Sequence, residues 1–313
     1  MSGSSLKITV IGPGGVGGYF GARLAAAGND VTFVARRSHL EAMRKDGLRL
    51  DSEIGPLHLK PVKVVADARE IEAADVILFA VKMRDTESAA QSLTGLTAKG
   101  ATVFTFQNGV ESAERVGRIV GAENVVPGVA RIGSHISAPG VVKQIGAFAR
   151  LEFAERDGRP SARTKAFFEA CKHAGFGAVM PENIEREIWM KFAMLAPLAG
   201  MTALTRGPIG PIRVNAQSRA LLQAAVEETV AVGMARKTGL QSADVGAVMK
   251  LIDTFPKEMM ASMAHDLLAG KPIELEGLSG AVARLGEQAG VPAPTHKFIA
   301  QVLAPFVNGP ANA

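Results

Sequence analysis

The sequence predicts an α/β fold, in which an N-terminal Rossmann-type doubly wound sheet is followed by a second, all-helical C-terminal domain. Short apolar, β-branched runs alternate with helical stretches as far as Phe106. The first of these runs ends in a glycine-rich turn that opens a helix, and from Asn183 onward helical patterning is almost unbroken. The predicted domains are residues 1–182 and 183–313. Two domains also suit the length, because single cores rarely grow beyond roughly 250–300 residues.

Leu6–Ile11 (LKITVI) reads as a buried strand that meets glycine at Gly12. A helix from Val16 to Ala27 follows, ended by Gly28 and Asn29, residues that tolerate a left-handed cap. Val31–Ala35, the uninterrupted apolar run Val76–Val81 and Thr102–Phe106 read as further parallel strands covered on both faces. Val125–Ile132, Gly140–Ile145 and Ala149–Phe153 then read as short strands of an antiparallel extension, and Ser161–Ala174 as a helix. Beyond the domain boundary, Leu221–Thr238 and Leu275–Gln288 are the clearest long helices.

With 47% hydrophobic and 21% charged residues, the composition is that of an ordinary globular enzyme. Only 5% of residues are aromatic, and the net charge of 35 − 30 = +5 is scattered without a basic run, so no nucleic-acid partner is expected. A mild positive excess suits an anionic small molecule instead. The single cysteine, Cys171, excludes an intramolecular disulfide and reads as a small buried hydrophobe. The dispersed histidines show no metal-ligand spacing, so no metal is expected. The short polar N-terminus has no signal core and no apolar stretch of about 20 residues is evident, which predicts no membrane partner and a cytoplasmic location.

Gly12-Pro13-Gly14-Gly15-Val16-Gly17 fits G-x-G-x-x-G in the context that gives the motif meaning, after a strand and before a helix. Its glycines allow a tight turn, close approach of backbone to a pyrophosphate, and close helix–strand packing. The helix then offers free N–H groups and the positive end of its dipole. Gly12, Gly14, Gly15, Val16 and Gly17 are therefore candidate dinucleotide-binding residues; the competing reading is a packing turn. At the end of the second strand, where an enzyme using NAD usually carries Asp or Glu, stand Arg36 and Arg37. A guanidinium binds a 2′-phosphate that a carboxylate would repel, so Arg36 points to NADP(H). Solvated loop charges are the bland alternative.

Ile188–Met201 (IWMKFAMLAPLAGM) contains Lys191 as its one charged or polar side chain. A helix of that composition is mostly buried, and an unpaired buried ammonium is costly, so Lys191 requires a partner, a ligand or a cleft. Glu187, four residues earlier, allows a surface ion pair instead. A carboxylate partner is available in Pro272-Ile273-Glu274-Leu275-Glu276, read as the start of the next long helix, where spacing does not choose between Glu274 and Glu276.

The ordered series GPGGVG, Val81-Lys82, Gln107-Asn108-Gly109, Lys191 in its apolar helix and ASMAHDLLAGKPIELE resembles the ketopantoate reductase (2-dehydropantoate 2-reductase) family over almost the whole chain. The resemblance implies a first domain that binds NADPH and a helical domain that closes the site. It implies that Lys191 is the general acid on the substrate ketone and that Glu274 orients it. Ser262 would bind the substrate carboxylate, and Lys82 and Asn108 would lie beside the nicotinamide, with Asn108 also touching substrate. The implied reaction is reduction of a 2-keto acid to a 2-hydroxy acid, ketopantoate to pantoate in pantothenate biosynthesis.

One departure is visible. Four and eight residues beyond the lysine, where the family typically carries asparagines, this sequence has Leu195 and Ala199. That makes a related 2-keto acid with a more apolar tail an alternative to ketopantoate. A β-hydroxyacid dehydrogenase and a catalytically silent NADPH-binding sensor are the competing readings. The oligomeric state is left open, a homodimer being one option.

Overall fold

The computed structural model describes residues 5–310, which form two compact units: residues up to 107 with 111–184, and residues 108–110 with 185 onward. Ten strands build the first unit: β1 (Lys7–Ile11), β2 (Asp30–Val34), β3 (Leu48–Ser52), β4 (Leu57–Leu59), β5 (Lys63–Val65), β6 (Val76–Phe79), β7 (Thr102–Thr105), β8 (Val125–Ala138), β9 (Val141–Phe153) and β10 (Gly177–Val179). They form one sheet in the order β4-β3-β9-β8-β7-β6-β1-β2-β5, with β10 added to β9. Its helices are α1 (Gly15–Ala26), α2 (Arg37–Asp46), α3 (Thr86–Gln91), α4 (Thr94–Thr97), α5 (Ser112–Val120) and α6 (Ala162–His173).

The parallel centre has the expected doubly covered character. Ile8, Val10, Leu78 and Phe104 enter one apolar cluster, whereas their neighbours Ile11, Ile77, Phe79 and Val103 enter another. That alternation is the period of a strand with both faces buried. On the first face Phe104, Phe153 and Phe167 of α6 pack with ring centroids 4.5–5.2 Å apart, and Cys171 is fully buried in the same cluster.

Two readings of this unit are corrected. Gly140–Ile145 and Ala149–Phe153 are one long strand, β9, and Val125–Ile132 extends to Ala138. The pairing of β8 with β9 survives through register shifts at Ile132/Gly133 and Ile136/Ala138, so irregularities that look like breaks in sequence are absorbed as bulges. The short strands β3, β4 and β5 and the polar helix α2 carry no strong apolar periodicity and went unpredicted.

The second unit is helical: α7 (Ile184–Thr205), α8 (Ile209–Val214), α9 (Ala216–Ala235), α10 (Asp244–Asp253), α11 (Ser262–Leu268), α12 (Ser279–Ala289) and α13 (Pro294–Leu303). Helix α9 packs against α8, α10, α12 and α13. Small residues let α7 approach closely. A Cβ on Gly200 would crowd Ile299 and the Ser279 hydroxyl, and one on Gly233 would crowd Trp189.

Helix α7 corrects another expectation: its 22 residues are long and apolar enough to cross a membrane by length and composition. Most of that stretch, 61%, is buried inside the protein, as in a core helix. Helix α12 begins at Ser279 rather than Leu275, so Glu274 and Glu276 do not sit in a first helical turn. Leu275–Leu278 instead form a turn closed by the Gly280 and Leu278 amides on the Leu275 carbonyl, and Ile273 N–H donates to the Val307 carbonyl.

Candidate functional site

Strands β1, β2, β6 and β7 end in register, since Ile11 pairs with Val34 and Phe79, and Phe79 with Thr105. The residues that follow them therefore share the carboxyl edge of the sheet. Strand order reverses between β2 and β6 on either side of β1, the position where open α/β sheets bind ligands. The glycine turn follows β1, Arg36 follows β2, and Lys82 follows β6.

Each glycine of the turn has a separate geometric cause. Gly12 has φ +82° and a Cβ there would strike Val81. A Cβ on Gly17 would lie under 3.0 Å from the Gly12 carbonyl, and one on Gly15 under 3.0 Å from the Ser134 carbonyl. Gly14 differs: nothing lies within 4 Å of where its Cβ would be. No side chain caps the first turn of α1 and no acidic residue lies in it. These amides and this open space fit the pyrophosphate of a dinucleotide.

Arg36 is exposed and extended at the N-cap of α2, while Arg37, first in that helix, adopts the left-handed region at φ 53°. Asp67 stands beyond β5 next to this segment. Hydrogen bonds from Arg69 hold its carboxyl down to about 2, with Arg36 adding a smaller electrostatic pull. The Asp67 carboxylate is bound by Arg69 at 2.5 Å, with the Arg36 guanidinium exposed nearby.

Lys82 is exposed at the end of the β6 loop. That loop is held by Gln107, which is nearly fully buried and donates to the Val81 carbonyl and the Thr86 hydroxyl, each at 2.9 Å, while Ser112 donates to its Oε1. A second positioning residue, His39, joins the Pro13 carbonyl to the Gly140 amide. Reasoning from sequence assigned neither a role. Gln107 had a visible signal, a polar side chain directly after the apolar strand TVFTF; His39 had none.

In the second unit, Lys191 Nζ donates to Asn108 Oδ1 at 2.9 Å. Lys191 is half-buried, and along α7 from Lys191 to Ala203 the other half-buried positions are Met194 and Leu195; Ala199 is fully buried. Residues three and four apart share a helix face, so Met194 and Leu195 lie on the lysine's face of α7 toward its C-terminus, and the half-buried Glu187 lies on it one turn earlier. Ser262 is exposed at the first position of α11, Glu274 is half-buried, and Glu276 is exposed. Among the described residues no group of three or more His, Cys, Asp or Glu side chains is placed to hold a metal ion.

The ketopantoate reductase PanE/ApbA family model matches residues 8–158, and its C-terminal counterpart matches residues 183–306. A 2-dehydropantoate 2-reductase from Archaeoglobus fulgidus is 30% identical over 303 residues, covering 97% of this chain and 98% of that one. The chain belongs to the ketopantoate reductase family. It is thus an oxidoreductase acting on a CH–OH group. Among solved ketopantoate reductase structures, that of 2-dehydropantoate 2-reductase from Geobacter metallireducens superposes with a TM-score of 0.88 at 28% identity, covering 96% of this chain and 99% of that one. D-mandelate dehydrogenase in its ternary structure with NADH and anilino(oxo)acetate shares the fold, with a TM-score of 0.87 at 21% identity over 96% of this chain and 98% of that one.

Proposed function

We propose that this ketopantoate reductase family member reduces a 2-keto acid to the 2-hydroxy acid with NADPH, with ketopantoate as the reference substrate. The observation that carries the reading is Lys191, a half-buried ammonium on α7 that donates to Asn108. Negative charge develops on a ketone oxygen as it is reduced. An ammonium at that oxygen stabilises the charge and supplies the proton. In this reading Glu274 orients the lysine and Ser262 takes the substrate carboxylate.

A nicotinamide cofactor, when bound, would supply the hydride. The amides at Gly14, Gly15, Val16 and Gly17 would hold its pyrophosphate, with Lys82 and Asn108 at the nicotinamide end. Arg36 supports NADPH over NADH, because an exposed guanidinium at the end of β2 can pair with a 2′-phosphate.

Leu195 and Met194 favour a refinement. A hydroxylated tail beside them would lose its hydrogen bonds to water without replacement, at about 1–3 kcal/mol for each buried group. An aliphatic or aryl tail suffers no such loss. NADPH oxidation should be followed with ketopantoate, 2-ketoisovalerate and benzoylformate, with NADH in parallel. Turnover of ketopantoate supports the family reaction, and turnover of the other two alone supports the apolar-tail form. No turnover with any of them, or oxidation of a 3-hydroxy acid by NADP+ in their place, overturns the reading.

A further inference from the structure

We infer that His39 is a positioning residue for the dinucleotide: it fixes the orientation of the Pro13–Gly14 peptide, and so of the amide that meets the pyrophosphate. The inference rests on the dinucleotide reading given above.

The turn Gly12-Pro13-Gly14-Gly15 has Pro at its second position and Gly at its third. That pair suits both type I and type II turns, which differ by turning over the central peptide. Gly14 here is extended, with φ −76° and ψ −153°, and a glycine crosses to positive φ at little steric cost. Sequence within the turn therefore does not decide which way the Pro13–Gly14 peptide faces. A contact from outside must do so.

The imidazole of His39 supplies it. Its Nε2 lies 2.9 Å from the Pro13 carbonyl oxygen, and the Gly140 N–H donates to its Nδ1 at 3.0 Å. Because Nδ1 accepts a backbone N–H, the proton must be on Nε2, which donates to Pro13. In a trans peptide the C=O and the following N–H point in opposite directions. Drawing the Pro13 oxygen toward His39 thus turns the Gly14 N–H away from it. A phosphate at the start of a helix is bound by such amides.

The support behind the imidazole is firm. Gly140 caps the β8–β9 hairpin at φ +76°, its carbonyl accepts from the Arg49 amide at 2.9 Å, and a Cβ on it would crowd Ala42 of α2. His39 itself lies in the first turn of α2, three residues after Arg36. One ring therefore links the phosphate turn, the arginine segment and the hairpin tip.

The test compares native protein with His39→Ala and His39→Gln, measuring affinity for NADPH, NADH and adenosine 2′-monophosphate, which lacks the pyrophosphate. Losing hydrogen bonds of this kind should weaken both dinucleotides by about 5- to 20-fold in His39→Ala. Adenosine 2′-monophosphate should bind within about twofold of native, and kcat at saturating cofactor should stay close to native, since the chemical groups are untouched. The Gln variant, whose amide can donate from the Nε2 position, should recover much of the loss. Unchanged dinucleotide affinity in His39→Ala overturns the proposal. So does an equal loss for adenosine 2′-monophosphate, or a Gln variant as weak as Ala. Native protein that binds NADH but not NADPH would instead defeat the NADPH reading, with the His39 effect then read on NADH.

Discussion

Lys191 Nζ lies 2.9 Å from Asn108 Oδ1, and the ammonium donates to a neutral amide. An amide oxygen gives the lysine a direction without itself contributing a compensating charge. Asn108 follows β7 by three residues, directly after Gln107, whose hydrogen bonds hold the neighbouring loop. Lys191 is thus oriented by a residue at the end of a short segment anchored through Gln107.

The glycines of the first turn separate binding from folding. Gly14→Ala meets open space at a negative φ, so the protein should keep its melting temperature and lose dinucleotide affinity. Gly17→Ala drives a methyl into the Gly12 carbonyl, so it should lower stability by about 1–3 kcal/mol or more. Thermal melting beside cofactor titration checks both. Equal behaviour of the two variants would contradict the geometry.

Arg36→Ala should raise the dissociation constant for NADPH by about 10- to 150-fold, the equivalent of about 1.5–3 kcal/mol for hydrogen bonds to a charged group. Affinity for NADH, which has no 2′-phosphate, should change little. Parallel titrations decide it. Loss of both cofactors to the same degree would assign Arg36 a different role.

His296 is fully buried, with Nε2 2.9 Å from the Ala225 carbonyl oxygen and 2.9 Å from the Thr229 hydroxyl, and Glu228 caps the start of α13 through the Thr295 and His296 amides. Burial pushes its imidazole from the ordinary 6.5 down to about 4, so the folded state holds the neutral ring. The folded value lies below the unfolded one. Its stabilisation is therefore complete above about 6.5 and is lost as the pH falls through 4. His39, also lowered by burial, adds a contribution of the same sign. Urea midpoints should decline across that window, and less steeply in His296→Gln, which should itself be destabilised by about 1–3 kcal/mol at neutral pH. An unaltered slope in the variant would count against this assignment.

Much of this architecture is legible in the sequence because it rests on local signals. Leu6–Ile11 running into Gly12, and Val76–Val81 without a polar break, announce parallel strands before any contact is known. The same locality explains the failures. Residues 146–148 read as a break at a glycine, yet they are a bulge in β9, kept in the strand by the pairing of Ile145 with Gly133 and of Ala149 with Ile132 on either side. Ile273, Leu275 and Leu278 are buried without a helical repeat, so α12 starts late. Lys191 stands out as a lone charge in the stretch Ile188–Met201, but Asn108, to which it donates, is 83 residues away. His39 sits in a polar helix, and only the folding of the β8–β9 hairpin brings Gly140 to it, 101 residues on.

The most direct test is Lys191→Ala, followed by single-turnover NADPH oxidation with the best keto acid and by NADPH titration of the same preparation. The expected result is turnover lower by about 10²–10⁴-fold, the usual worth of an acid–base group, with NADPH affinity close to native. Near-native turnover in that variant would contradict the assignment of Lys191 as the proton donor, and with it the reading of α7 as the catalytic helix.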